Sequence, residues 1–355
     1  METLASAAHP ARPNLAAVAA RAGVSVSTAS LAFSGAGPVS DATREKVIVA
    51  ANELGYAGPD PRAQSLRRGR SGIVGVVVEE RISESFRDPV MIATLDGISE
   101  AIADLGAGLL LLPDTGRAAL SVENAPVDAV VLIGCSPRLG ESFAVLKRRG
   151  IPTVAIEGSV GEELPEVTID NADATRRGAG HLRELGHTRV AVVALPIDAE
   201  RNRGPLTPER ERASTSATTS ERLEGARAVF PHITGVVAAS SSVEEGAIAG
   251  RVLLADETTR PTAIIAQSDL LAAGVIRAAE ALGLRVPEDL SVIGFDGIEL
   301  EGLSPYELTT LVQPSAAKGR AAGELVVRML AGERPASVSF TSEFRLGNTT
   351  AAPRR

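Results

Sequence analysis

The amino-acid sequence reads as an N-terminal all-α helix-turn-helix domain followed by an α/β core of two doubly wound lobes. Three observations carry this. Apolar residues recur at helical spacing across residues 15–34 and break at Gly23. From Ile73 onward, short β-branched runs alternate with amphipathic stretches. The number of those runs suits two doubly wound lobes, with parallel sheets covered on both faces.

In chain order, residues 1–13 hold two prolines and several alanines, and the expectation is a disordered tail. Leu15, Val18, Ala19 and Ala22 define a first helix, which Gly23 ends. Ser25 or Ser27 can cap a second helix carrying Val26, Ala29, Ser30 and Phe33. Two helices joined by a Gly-containing turn can place the second in a DNA major groove; an ordinary helical hairpin has the same pattern. Ser40 caps a third helix, Asp41 to Leu54, with Val47, Ala50, Ala51 and Leu54 on its apolar face. Gly55 closes it and Tyr56 can pack back. The domain spans residues 14–57.

Residues 58–71 form a strongly basic hinge segment. Arg62 to Arg68 could make two helical turns, too short to be stable alone in water. It is either a flexible basic linker or a segment that folds on DNA, wedging Leu66 into the minor groove while Arg62, Arg67 and Arg68 hold phosphates. Charge is divided accordingly. The net charge is −8, yet residues 1–71 hold eight Lys/Arg against five Asp/Glu, or +3, leaving −11 for the rest.

The core follows over residues 72–350. Strands are expected at 73–80, 108–113, 128–134, 152–158, 189–195, 235–239, 262–267 and 290–295, with helices between them. In such lobes a ligand lies beyond the carboxyl ends of the strands. Residues 198–220 are polar and long for a connection, and the expectation is a mobile insertion or flap. No apolar run approaches the length of a membrane span, no secretory leader is evident, and the single cysteine, Cys135, lies in an apolar run. A cytoplasmic protein without membrane association is expected.

The sequence resembles the LacI/GalR family of bacterial transcription regulators across nearly all of residues 14–350. VAARAGVSVSTAS, VSDATREKVIVAANELGY and AQSLRRGRS carry the N-terminal resemblance. IDN at 169–171, HLRELGHTRVAVV, RLEGARAV, the stretch from Pro261 to Gly297 and LTTLVQP carry the rest. It implies a periplasmic-binding-protein-like core, a homodimer on double-stranded operator DNA, and a small-molecule effector, a sugar or related metabolite, held between the lobes. The protein would be a repressor, with no catalytic role, metal or cofactor.

On DNA, the resemblance places Val26 and Ser27 at base-reading positions. Val26 can touch thymine methyls and Ser27 can bond either base type. Leu31 and Ser34 stand where the family often has Arg and Asn, so Leu31 contacts bases only apolarly. Ser25, Thr28, Ser30 and Ser34 suit phosphates. The hinge has one residue more than is commonly seen between Tyr56 and Leu66.

For the effector, the resemblance marks Glu79, Glu80, Glu157, Arg222, Ser268, Asp296 and Gln313. Carboxylates and a guanidinium around a cleft can hold hydroxyls by charge-assisted hydrogen bonds. Asp269 is expected to cap the helix it begins, and His181 and His187 to serve helix packing and a turn. Two other classes compete. A solute-binding protein would not need the first 70 residues. An enzyme on this scaffold would need a nucleophile elbow, a phosphate loop or a metal cluster, and none is evident.

Overall fold

The structure is a computed structural model and describes residues 13–35, 37–58, 69–78, 82–114, 120–134, 139–158, 164–198, 200–300 and 302–354. The expected tail and hinge lie almost wholly outside these residues, as do Arg62, Leu66, Arg67, Arg68, Glu79, Glu80 and Cys135. The chain divides into two compact units, residues 1–71 and 72–355. No single helix among the described residues is long and apolar enough to cross a membrane.

The first unit holds α1 (Leu15–Ala22), α2 (Val26–Ser34) and α3 (Asp41–Leu54). Each begins on a side chain that accepts from a first-turn N–H: Asn14 from Ala17, Ser25 from Thr28, Ser40 from Thr43. Ser25, not Ser27, therefore caps α2. Gly23, Gly35 and Gly55 end the helices in the left-handed conformation. The core is Val18, Ala19, Ala29, Ala32, Val47, Ala50 and Ala51. Alanine at five of these seven positions brings the helices close but buries little area, so the caps, about 1 kcal/mol each, carry a larger share of stability. Tyr56 packs edge-on against Phe33, ring centroids 5.5 Å apart.

The second unit begins with β1 (Ile73–Val78), α4 (Ile82–Ser85), α5 (Pro89–Ile102), β2 (Gly108–Pro113), β3 (Ala129–Ile133), α6 (Leu139–Arg149), β4 (Thr153–Ile156) and β5 (Glu166–Ile169). It continues with α7 (Asn171–Glu184), β6 (Val190–Ala194), β7 (Gly204–Pro205), α8 (Pro208–Arg212), α9 (Ala217–Val229), β8 (Thr234–Val237), α10 (Val243–Leu254), β9 (Ala263–Ala266), α11 (Asp269–Ala281) and β10 (Ser291–Asp296). The last elements are β11 (Thr309–Val312), α12 (Ser315–Leu330), β12 (Val338–Phe340) and β13 (Glu343–Arg345).

Two sheets result, ordered β12-β5-β4-β3-β1-β2 in lobe 1 and β13-β11-β10-β9-β6-β8-β7 in lobe 2. The lobe 1 sheet is parallel throughout; lobe 2 adds antiparallel edges, β13 on β11 and β7 on β8. The chain passes between lobes after β5, after β11 and after β12. The first and third crossings are tied together. Asp170 accepts from the backbone N–H of Ser342 at 2.7 Å and from its hydroxyl at 2.8 Å, and Arg177 pairs with Asp170 at 3.0 Å. Glycines permit two close helix contacts that matter for the site. A Cβ at Gly319 of α12 would collide with the backbone of Thr94 in α5, and one at Gly225 of α9 with the backbone of Ala172 in α7.

Residues 198–220, expected as a mobile insertion or flap, carry regular structure among the described residues. β7 extends the sheet, Leu206 packs on the lobe 2 core, and Arg203 pairs with Glu245 at 2.5 Å. Thr215 N–H donates to Ile197 at 2.8 Å, which closes the excursion, and Ser216 already caps α9. The expectation rested on average polarity. Leu206, the edge pairing with its Leu206 N–H bond to Gly235 O at 2.9 Å, and the Arg203–Glu245 pair anchor the segment despite that polarity.

His181 and His187 also do more than pack a helix and a turn. They hold the C-terminal strand of chain, His181 through Thr350 at 3.0 Å and His187 through Ala351 O at 2.9 Å and Ser291 at 3.1 Å. Burial pushes both imidazoles below 6.5.

Candidate functional site

On the first unit, α2 turns Ala29 and Ala32 into the core and leaves Val26 and Leu31 50% and 38% exposed. Ser27 is exposed beside Val26; Thr28 and Ser30 are half-buried. The Ser25 hydroxyl lies 2.8 Å from those of Ser27 and Thr28. Ser34 ends the helix, and its side chain is outside the described residues. The exposed face thus offers methyl groups and hydroxyls and no cation, a surface that can touch thymine methyls and bond base edges or phosphates.

On the second unit, a cavity of about 180 Å³ opens between the lobes. It is lined at strand ends by Ile156 and Glu157, by Leu195 and Pro196, by Ser268, Asp296 and Gln313, and by Arg222 from α9. Five of the seven residues marked in the sequence therefore meet here: Glu157, Arg222, Ser268, Asp296 and Gln313.

Arg222 is the hub, 3% exposed. The Gly225 contact brings α9 against α7, so that Arg222 Nε donates to Asn171 Oδ1 at 2.8 Å. Its Nη1 donates to Gln267 O at 2.5 Å and lies 3.9 Å from Asp296 Oδ1. Its guanidinium carbon stands 3.5 Å from the Phe295 ring centroid, a cation–π contact in a dry setting. The Gln267 side chain is fixed in turn, accepting from Leu195 N–H and donating to Thr219 O. Gln313 donates to Asp296 at 2.6 Å.

Lys318 crosses from lobe to lobe. It is 1% exposed, and its ammonium bonds both Glu157 and the Gln313 carbonyl. Burial alone would raise the Glu157 carboxyl, but the Lys318 and Arg222 cations and the bonds from Lys318 and Asn171 hold it below its ordinary range. Burial raises Asp296 well above the usual carboxylate range, and the Arg222 charge only partly opposes it. Glu157 (φ +53°), Arg201 (+52°) and Asp296 (+126°) are the non-glycine residues with left-handed backbone among those described, and all three line the cavity. Such strain costs about 1–3 kcal/mol per residue and persists only where surrounding contacts over-determine it.

One expectation needs revision. Asp269 does not cap α11; Ser268 does, accepting from Leu271 N–H at 3.2 Å. Asp269 instead accepts from Gly297 and Ile298 N–H at 2.7 and 2.9 Å and from the Thr310 hydroxyl at 2.6 Å, fixing the loop after Asp296. Burial raises its carboxyl to about 7. Sequence reasoning also missed Asn171, Gln267 and Lys318. Lys318 carried a signal, since it falls in helical phase with Ala322 and Leu325, and a charge on an apolar stripe must find a buried partner. No cluster that could hold a metal occurs among the described residues.

A helix-turn-helix unit on a chain whose other unit encloses a polar cleft between two doubly wound lobes defines a class: DNA-binding proteins with a ligand-binding core. Residues 14–58 match the model of bacterial regulatory proteins of the lacI family, and residues 179–346 that of the periplasmic binding protein-like domain. The chain is 31% identical to the HTH-type transcriptional regulator IpsA of Corynebacterium glutamicum, over 95% of this chain and 97% of that one. It is 31% identical to the HTH-type transcriptional repressor CytR of Escherichia coli, over 95% and 96%. Its fold matches the transcriptional regulator CelR in complex with cellobiose, with a TM-score of 0.64 and 27% identity over 95% of this chain and 100% of that one. The chain belongs to the LacI family and is a DNA-binding transcriptional regulator.

Proposed function

We propose that the chain is a cytoplasmic repressor that binds a near-palindromic operator in double-stranded DNA as a homodimer, its affinity set by a small polar effector in the cleft. The observation that carries the effector half is Arg222, buried, held on three sides and facing a cavity that also exposes Asp296. No hydrogen bond from its Nη2 occurs among the described residues, so a ligand oxygen can complete the guanidinium. Glu157, Ser268 and Gln313 would complete the effector contacts, with Glu79 and Glu80 as further candidates from the end of β1. Val26, Ser27 and Leu31 would read bases, and Ser25, Thr28, Ser30 and Ser34 would bind phosphates. A dimer supplies two such helices, because one short neutral helix makes too few contacts for specificity. The names of the relatives CytR, a repressor, and CelR, bound to cellobiose, agree with both halves.

In the hinge, Leu66 would wedge into the central base step while Arg62, Arg67 and Arg68 hold flanking phosphates. The test is a gel shift on the promoter nearest the chain's own gene, at two salt concentrations. Affinity should fall steeply with salt, and Leu66→Ala should weaken specific binding far more than non-specific binding. A flat salt response, or equal loss on both DNAs, contradicts this reading.

A further inference from the structure

We infer that Arg44 of α3 holds a backbone phosphate of the DNA beside the C-terminal end of the reading helix, and so supplies the cation that α2 itself lacks. This rests on α2 lying against DNA. Arg44 is half-buried, and among the described residues it makes no hydrogen bond and no ion pair. Its Nε is buried without a partner, while its terminal nitrogens keep contact with water. Arg21 of the same unit is a contrast, bonded to Glu53 through Nε at 2.8 Å and Nη2 at 2.7 Å. Arg44 has an acid within helical reach, Asp41 one turn back on α3, and does not pair with it.

The guanidinium reaches toward α2 instead. Nη1 lies 3.7 Å from the point where a Cβ on Gly35 would stand. Gly35 closes α2 in the left-handed conformation directly after Ser34, and its own N–H bonds the Leu31 carbonyl. No carbonyl of that last turn accepts from Arg44 among the described residues, so the side chain does not cap the helix. The negative end of the α2 dipole offsets only part of the cost of a guanidinium held half out of water with Nε unbonded. An anion met end-on by Nη1 and Nη2 offsets the rest. A phosphate fits this fork, since two of its oxygens accept in parallel. Arg44 stands on α3 and reaches only the closing residue of α2, which suits the backbone beside the groove and not the base edges within it. Such a contact positions the protein without specifying sequence. Ser25, Thr28, Ser30 and Ser34 offer phosphates neutral hydroxyls, and Arg44 adds the charge.

The test uses the full chain with the promoter duplex beside its gene and a scrambled duplex of the same composition, by fluorescence anisotropy over a potassium chloride series. Arg44→Met keeps the aliphatic stem and removes the fork. It should bind both duplexes roughly tenfold more weakly at low salt. It should also lower the slope of log affinity against log salt by about 2 for a dimer, roughly one per subunit. Arg44→Lys keeps the charge without the fork, and should recover most of the slope but only part of the affinity. Without DNA, Arg44→Met should melt at or above the wild-type temperature, because no bond is lost. An unchanged salt slope, with or without a lower melting temperature, overturns the phosphate contact and makes Arg44 a structural residue. Loss confined to the promoter duplex makes it a base reader and overturns the proposal equally. In both cases the DNA-binding reading stands. A wild type that binds neither duplex overturns that reading itself.

Discussion

The reading helix and the cleft handle polarity in opposite ways. Helix α2 puts neutral groups, Val26, Ser27 and Leu31, on an exposed face and turns apolar Ala29, Ala32 and Phe33 to the core behind it. The cleft buries its charged groups, and each of Arg222, Lys318 and Glu157 is held by two or more partners. An exposed face can wait for DNA to order it, since water satisfies its hydroxyls meanwhile. Buried charges cannot wait, because an unpaired one in a dry interior is destabilising, so the cleft is built before the ligand arrives.

The contrast can be broken most sharply at Lys318. Lys318→Met leaves the Glu157 carboxylate buried without its ammonium, and should cost about 3–5 kcal/mol in urea denaturation. Adding Glu157→Gln should recover most of that loss. A single variant as stable as the wild type would mean that the two are not coupled. A smaller loss is expected at the β7 excursion, where Leu206→Ala should cost about 1–3 kcal/mol. No change would return the segment to the mobile insertion its composition suggests.

On the exposed side, Val26→Ala or Ser27→Ala should leave folding intact and lower operator discrimination by about 1–3 kcal/mol, measured by competition against non-specific DNA. Leu31→Arg, which adds the cation this face lacks, should shift preference toward guanine in a selection from randomised duplexes. The weakest effect concerns the C-terminal clamp. Because burial holds His181 and His187 below 6.5, their neutral forms contribute stability that is complete above that pH and lost as pH falls below it. His187→Gln should flatten this acid limb of the stability curve, and an identical pH profile would show that the imidazole is not involved.

The same contrast explains what was legible in the sequence. Helix boundaries near Ser25, Ser40 and Gly55 follow local rules of capping and spacing, and the structure places them there. The strands of both lobes stand out as β-branched runs for the same reason. The cleft was legible where a residue sits in a family motif, as Arg222 does in RLEGARAV and Asp296 and Gln313 do at strand ends. Asn171 and Gln267 also stand just beyond strands, β5 and β9, and were passed over there, whereas Lys318 enters by tertiary approach through the Gly319 helix contact, its one local signal a charge on an apolar stripe. The role of Asp269 was misjudged for a related reason. Its position at a helix start suggests a cap, while its real partners lie 28, 29 and 41 residues downstream.

The central claim is that Arg222 couples cleft occupancy to DNA binding. Fluorescence anisotropy of a labelled duplex from the promoter beside the gene tests it most directly, with D-ribose, D-glucose and D-mannitol added in turn to the wild type and to Arg222→Ala. The account predicts that one polyol changes the operator affinity of the wild type, and that Arg222→Ala binds the duplex with near wild-type affinity but no longer responds. Equal responses in the two proteins, or loss of DNA binding in a folded Arg222→Ala, would contradict it.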